Sequence, residues 1–130
     1  MIILDTSFII SYFNVRDQNH PKAMKLMKQM HESFCLTDYI FGEVATVSSI
    51  RLKSIEKASE IGEILKSLKI IDIEKSSFDK AWDIFCKQKD TILSLTDCTT
   101  ISTMQENYIE KIATFDGDFS KVKGIKVIDS

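Results

Sequence analysis

The chain has 130 residues, enough for one domain with a single continuous core, so we expect residues 1–130 to form a single domain. A composition of 44% hydrophobic and 28% charged residues argues against disorder, and a net charge of −2 gives no overall positive field for nucleic acid. The three cysteines follow no zinc-binding spacing, so we expect reduced thiols in a cytoplasmic protein. No stretch approaches the ~20 apolar residues of a membrane span, so we expect a soluble protein with no membrane contact. The apolar start also lacks the basic leader of a signal peptide.

The first part of the chain predicts one strand and two helices. Met1–Leu4 is a short apolar strand, and Ser7–Phe13 continues from it as a helix. His20-Pro21 opens the second helix, because proline suits a first helical position. The inward stripe of that helix is predicted to be Ala23, Met24, Met27 and Met30.

The middle of the chain repeats this alternation. Ser33–Leu36 is predicted to be a strand, and Thr37 is placed to cap the helix that follows. Ser54 is placed to cap the next helix, and Ile70–Ile73 is the third predicted strand. The apolar face of the first of these helices is formed by Ile40, Val44 and Val47.

The last part predicts two helices and two short strands, Ile112–Thr114 and Ile125–Ile128. One helix begins at Ser76 or Ser77, and the other is capped by Thr96. The residues predicted to face inward are Phe78, Ala81, Trp82 and Phe85 in the first helix and Ile101, Met104 and Tyr108 in the second. Apolar strands separated by helices predict an α/β fold in which a short parallel β-sheet is flanked by helices on both faces.

Four acidic residues stand out against this pattern. Asp5 and Asp116 each follow a predicted strand, at the sheet edge where such folds bind ligands. Glu43 shares a helical face with Ile40, and Asp97 has the same relation to Ile101. Taken singly, Asp5 and Asp97 could be helix caps, and Glu43 could meet a lysine at the edge of the core.

Together, four acids directed to one sheet edge favour a metal site, because buried carboxylates need a neutralising cation. Ligands that are all oxygen suit Mg²⁺ or Mn²⁺ rather than zinc or copper. Hydrolysis of a phosphodiester is the chemistry that such a site supports.

The chain resembles the PIN-domain nucleases, and in particular small single-domain VapC-type toxins of toxin–antitoxin pairs. Four segments in the family's order carry the resemblance over the full length: Ile3 to Ser7, Thr37 to Glu43, Leu95 to Asp97 and Thr114 to Phe119. Each motif is weak alone, but the ordered set is fairly specific. One departure is Cys98, where the family often has alanine.

The resemblance implies a three-layer PIN-like fold and a Mg²⁺- or Mn²⁺-dependent endoribonuclease that acts on RNA. It also implies a small antitoxin protein as partner and a homodimer. The residues that it assigns are Asp5, Glu43, Asp97 and Asp116 as catalytic, metal-binding acids, Thr6, Ser7 and Thr114 as supporting hydroxyls, and Asp118 as a further acid that a solvated loop would explain equally well.

Two other functions remain open at this point: a housekeeping RNA-processing nuclease and a catalytically silent module that binds RNA or protein. An RNA enzyme also needs positive charge beside its cleft. Two clusters of cations could supply it, and the second is nearer to an acidic motif in sequence. These clusters are Arg51, Lys53 and Lys57, and Lys121, Lys123 and Lys126.

Overall fold

The protein is described here by a computed structural model that covers residues 1–128 of the chain. Within that range, strands and helices alternate as the sequence predicts. The strands are β1 (Ile2–Leu4), β2 (Phe34–Thr37), β3 (Lys69–Ile71), β4 (Lys111–Ala113) and β5 (Lys126–Val127). The helices are α1 (Thr6–Phe13), α2 (His20–Gln29), α3 (Asp38–Arg51), α4 (Ile55–Leu65), α5 (Lys75–Cys86) and α6 (Leu95–Glu106), and a 3₁₀ turn spans Gly117–Lys121.

The strands form one parallel sheet in the order β3-β2-β1-β4-β5. The chain therefore builds the sheet from β1 towards one edge and then returns to add β4 on the other side of β1. This reversal makes the carboxyl ends of β1 and β4 the topological switch point, where a crevice opens between the loops. Leu4 pairs with Ala113 across these strands, so Asp5 and Thr114 emerge side by side.

Helices cover both faces of the sheet, as predicted, and the alternating side chains of β1 show why. Ile2 and Leu4 pack into a core with α1 to α4, whereas Ile3 packs into a second core with α5 and α6. A strand that is buried on both faces is apolar at every position, and all the residues of β1 are apolar. No helix in the described range is long and apolar enough to cross a membrane.

Two predicted helix caps are confirmed and one is wrong. The Thr37 hydroxyl accepts a hydrogen bond from the Ile40 amide at 3.1 Å, and the Ser54 hydroxyl accepts one from Lys57 at 3.1 Å. Helix α6 is capped by Ser94 rather than Thr96, because Ser94 and Asp97 form a reciprocal capping box that starts the helix earlier. Helix α5 begins at Lys75, one or two residues before the predicted start at Ser76 or Ser77.

Several residues predicted to face inward are exposed instead. On α2, Ala23 and Leu26 are buried, so the neighbouring Met24 lies at the side of the helix with 36% of its surface exposed. Trp82 is 51% exposed and stacks on the Phe85 ring at 5.6 Å, outside the core. On both helices, the apolar stripe predicted from the sequence is therefore wider than the helical face that is buried.

The largest error is Tyr108, which is 92% exposed and adopts a φ of 56°. It follows the end of α6, where the Ile109 amide returns to the Met104 carbonyl at 2.9 Å. This is the position after a helix that glycine usually fills, because a side chain is strained at positive φ.

We predict that Tyr108→Gly stabilises the protein by about 0.5 kcal/mol. Relief of the left-handed backbone is worth ~1 kcal/mol, and the greater freedom of glycine in the unfolded chain offsets part of it. Denaturant unfolding measures the difference. Tyr108→Ala keeps the strained backbone and should not stabilise, so equal gains from both variants would contradict this explanation.

Candidate active site

The four predicted acids line one cavity of about 480 Å³ at the switch point of the sheet. They are Asp5 after β1, Glu43 on α3, Asp97 on α6 and Asp116 after β4. Each comes from a different element, which explains why they are spread over 112 positions of the chain yet share one site. Thr6 and Ser7 line the same cavity.

Asp5 is held by two hydroxyls. Its Oδ2 accepts hydrogen bonds from the Thr114 hydroxyl at 2.7 Å and from the Ser7 hydroxyl at 3.1 Å. The residue is only 4% exposed, so these donors replace the water that its charge has lost. A hydrogen bond from the Thr6 amide also favours the charged form of this carboxylate and so lowers its pKa.

The same hydroxyls fix the loop that follows β4. The Phe115 amide donates to the Ser7 hydroxyl at 2.9 Å, and the Asp116 amide donates to the Thr114 hydroxyl at 3.0 Å. The two strand ends are thereby joined through side chains as well as through the sheet. Thr6, the third hydroxyl implied by the resemblance, is half-buried, and its buried Oγ1 has no hydrogen-bond partner among residues 1–128.

Glu43 lies on the face of α3 that lines the cavity, together with Val47 and Arg51 at successive steps of four residues. It is half-buried, and within residues 1–128 it forms no ion pair with a lysine. The alternative of a lysine partner at the edge of the core is therefore not what the structure contains.

Asp97 is a cap and a cavity residue at once. Its Oδ2 accepts a hydrogen bond from the Ser94 amide at 3.1 Å, and its own amide donates to the Ser94 hydroxyl at 3.0 Å. The capping alternative raised by the sequence is thus correct, but it uses only one oxygen of the carboxylate. In the described part of the chain, Oδ1 has no partner.

Asp116 and Asp118 differ in where they lie. Asp116 lines the cavity, and its Oδ1 accepts a hydrogen bond from the Asp118 amide at 3.0 Å. Asp118 lies outside the cavity lining and forms an ion pair with Lys121 at 3.3 Å.

A fifth acid, Asp17, also lines the cavity and was missed by the sequence analysis. Its Oδ1 accepts hydrogen bonds from the Ser11 hydroxyl at 3.0 Å and the Asn19 amide at 2.8 Å. The ring nitrogen Nδ1 of His20 lies 2.9 Å from the Ser11 carbonyl and holds the same turn against α1. Asp17 follows no strand and lies on no apolar stripe, so the patterns that identified the other four could not find it.

The carboxylates oppose one another's ionisation. Burial raises the pKa of Asp5 above its usual range, with a smaller contribution from the charge of Glu43 and opposed by the hydrogen bonds from Thr114 and Ser7. Burial likewise raises the pKa of Asp97 to about 6, and the charges of Asp5 and Asp116 add to the rise. Such carboxylates favour either a proton or a cation.

The donor set fits a hard divalent cation. The donors are carboxylate oxygens, and the hydrogen bonds at the distances given above engage one oxygen each of Asp5, Asp97 and Asp116. As they stand, no three His, Cys, Asp or Glu side chains of the described chain lie close enough together to hold an ion. Metal binding by these residues therefore stays a prediction, supported by the chemistry of the donors.

Comparison with solved structures shows the same fold in toxins. VapC20 of Mycobacterium tuberculosis, described as a toxin that cleaves the sarcin–ricin loop, has a TM-score of 0.88 and 24% identity, covering 93% of this chain and 94% of that one. A toxin–antitoxin complex from Klebsiella pneumoniae gives 0.76 at 18% identity, covering 99% and 97%. VapBC2 of Rickettsia felis, bound to a DNA fragment from its promoter, gives 0.72 at 17%, covering 98% of both chains.

Sequence comparison adds one match. The family model of the PIN domain matches residues 2–125, which is nearly the whole chain. No curated protein sequence is significantly similar to this chain.

We predict that Asp97→Asn removes a pH dependence of stability in the metal-free protein. The pKa of Asp97 is about 6 in the folded state and 3.8 as its ordinary value, so folding favours the protonated form. That contribution is complete below pH 3.8 and is lost as the pH rises towards 6. An asparagine oxygen can still accept the Ser94 amide, so the variant should keep its cap.

Urea unfolding in chelator across this range measures the effect. The variant should gain stability relative to the parent as the pH rises through the window. Asp83→Asn, on the exposed face of α5, controls for the loss of one negative charge. Parallel curves for the parent and Asp97→Asn would refute the assignment.

Proposed function

Since the chain belongs to the PIN-domain family, we propose that it is a Mg²⁺- or Mn²⁺-dependent endoribonuclease that hydrolyses RNA phosphodiester bonds. The observation that carries this proposal is the single cavity that gathers Asp5, Glu43, Asp97 and Asp116 from four separate elements. A fold alone would not be enough, because function belongs to the site.

The proposed roles follow from what each residue contacts. Asp5, Glu43, Asp97 and Asp116 would hold the divalent cation, which when bound activates water and stabilises charge on the phosphoryl oxygens. Ser7 and Thr114 donate to Oδ2 of Asp5 and so keep its other oxygen directed away from them. Because these donors are fixed before substrate arrives, the site needs little reorganisation.

We further propose that the protein is the toxin of a toxin–antitoxin pair, with a small antitoxin as partner. Support comes from the solved structures described above, which include a toxin that cleaves the sarcin–ricin loop and a toxin–antitoxin complex. A homodimer is part of the same proposal. Met24 on α2 offers an exposed apolar side chain to such an interface, whereas Ile10 on α1 is buried in the monomer.

We predict that Asp5→Asn and Asp97→Asn each lower RNA cleavage by about 100-fold or more, a loss of at least ~2.7 kcal/mol of transition-state stabilisation. Each change keeps the shape of the side chain and removes one ligand charge, so the fold should survive. Asp118→Asn should have a smaller effect, because this residue lies outside the cavity and pairs with Lys121. Digestion of total bacterial RNA with Mg²⁺ or Mn²⁺ measures the rates.

Asp83→Asn serves as the control, since Asp83 lies on α5 in an ion pair with Lys87 and is not part of the cavity lining. Circular dichroism of each variant tests that the fold is retained. The nuclease proposal fails if the parent cleaves no RNA with either metal, or if all variants cleave as the parent does. An essential Asp118 beside a dispensable Asp5 would mean that other acids form the site.

We also predict that Mg²⁺ or Mn²⁺ raises the melting temperature of the parent and that chelator lowers it. At a tenfold excess of metal over its dissociation constant, binding should add about 1.4 kcal/mol to the free energy of unfolding. Asp5→Asn should show much less of this gain, because it has lost a ligand. Equal melting temperatures of the parent in metal and in chelator would exclude a metal site.

A further inference from the structure

We propose that a basic groove beside the acidic cavity binds the phosphates of the RNA strand that flank the scissile one. The groove is defined by its four cationic side chains, Arg16, Arg51, Lys53 and Lys57. This inference rests on the proposed ribonuclease function and adds to it the path of the substrate.

The groove is a second cavity, of about 660 Å³, between the turn that follows α1 and the turn between α3 and α4. Arg51, the last residue of α3, lines both this groove and the acidic cavity. The two cavities are therefore neighbours that share a wall, and a strand leaving the acids on this side meets the groove next.

The charge of the groove is unlike that of the chain as a whole. Its lining includes four cations and one carboxylate, Glu60, whereas the whole chain has a net charge of −2. None of the four cations forms an ion pair with a carboxylate among residues 1–128. Some lysines outside the groove are neutralised in ion pairs, such as Lys80 with Glu106 and Lys111 with Glu32. Unpaired positive charge in a concave surface favours a polyanion.

The spacing along α3 favours a polymer over a small phosphate ester. Glu43 and Arg51 lie on one face of the helix, eight residues apart, which corresponds to about 12 Å along its axis. A ligand that reaches both ends must extend well beyond one phosphate group. Exposed apolar side chains in the groove, such as Val15 and Ile64, give bases a surface to lie against.

Lys53 adds an independent observation. It adopts a φ of 51° directly after α3, where glycine would avoid strain. The chain therefore has a charged residue at a position where the stability of the fold alone would favour glycine. Backbone strain of this kind is often associated with a functional site.

The rival cluster of lysines, Lys121, Lys123 and Lys126, is nearer to an acidic motif in sequence but lines neither cavity. Lys121 is paired with Asp118. These residues provide a matched control, because Lys123 and Lys126 are exposed in the same way as the lysines of the groove.

The test compares the double variant Lys53→Gly/Lys57→Gln with Lys123→Gln/Lys126→Gln. Each is titrated with a fluorescent, mixed-sequence single-stranded RNA in chelator, so that binding is measured without cleavage, over a series of salt concentrations. The groove variant should bind roughly tenfold more weakly at low salt, and its slope of log affinity against log salt should fall by about 0.7 for each lost phosphate contact. The control pair should bind as the parent does.

Stability and cleavage separate the possible failures. Lys53→Gly relieves the strained backbone, so the melting temperature should not fall and unfolding cannot explain weaker binding. If the parent binds RNA but does not cleave it with Mg²⁺ or Mn²⁺, the proposed function fails while the binding result still tests the groove. Equal RNA binding by the groove variant and the parent, or an equal loss in the control pair, overturns the inference. If the groove variant binds RNA as the parent does but no longer binds polyglutamate, the inference is also overturned, and the groove is assigned to an acidic protein partner.

Discussion

The site depends on how the buried carboxylate of Asp5 is held between β1 and β4. Burial opposes its charge, and hydrogen bonds from Thr114 and Ser7 oppose that effect. Hydrogen bonds to a charged group contribute about 1.5–3 kcal/mol each, so the two hydroxyls offset a substantial part of the desolvation. Thr114 is 109 residues away in sequence, so this one contact joins the two ends of the chain.

The same polar groups serve the fold and the site. Oδ2 of Asp97 closes the capping box of α6, and Oδ1 of Asp116 accepts the Asp118 amide in the turn after β4. Each of these two carboxylates thus uses one oxygen for a hydrogen bond within its own segment, and its other oxygen is available to a ligand. This division explains how several acids can be placed around one cavity without losing the local structure that positions them.

Helix α3 organises the electrostatics of the surface. It carries Glu43 near its middle, at the acidic cavity, and Arg51 at its end, where the basic groove begins. The negative region suits a cation and the positive region suits phosphates, so separating them along one rigid helix keeps each from neutralising the other. Glu43 and Arg51 are too far apart on the helix to pair, since only residues three or four apart are neighbours.

The sequence by itself determined the alternation of strands and helices, because the apolar runs of β1 and β4 and the caps at Thr37 and Ser54 depend on local chemistry. It also identified four of the acids that line the cavity, because two of them directly follow strands and the other two interrupt the apolar faces of helices. Only the tertiary structure decided which side chains are covered. Tyr108 and Trp82 lie outside the core because packing, not periodicity, sets the width of the buried face. Asp17 joins the cavity, and Arg51 rather than Lys121 lies beside the acids, because the crossover of the sheet brings distant loops together. Nearness in sequence carries no information about such contacts, since they are fixed by the order of strands.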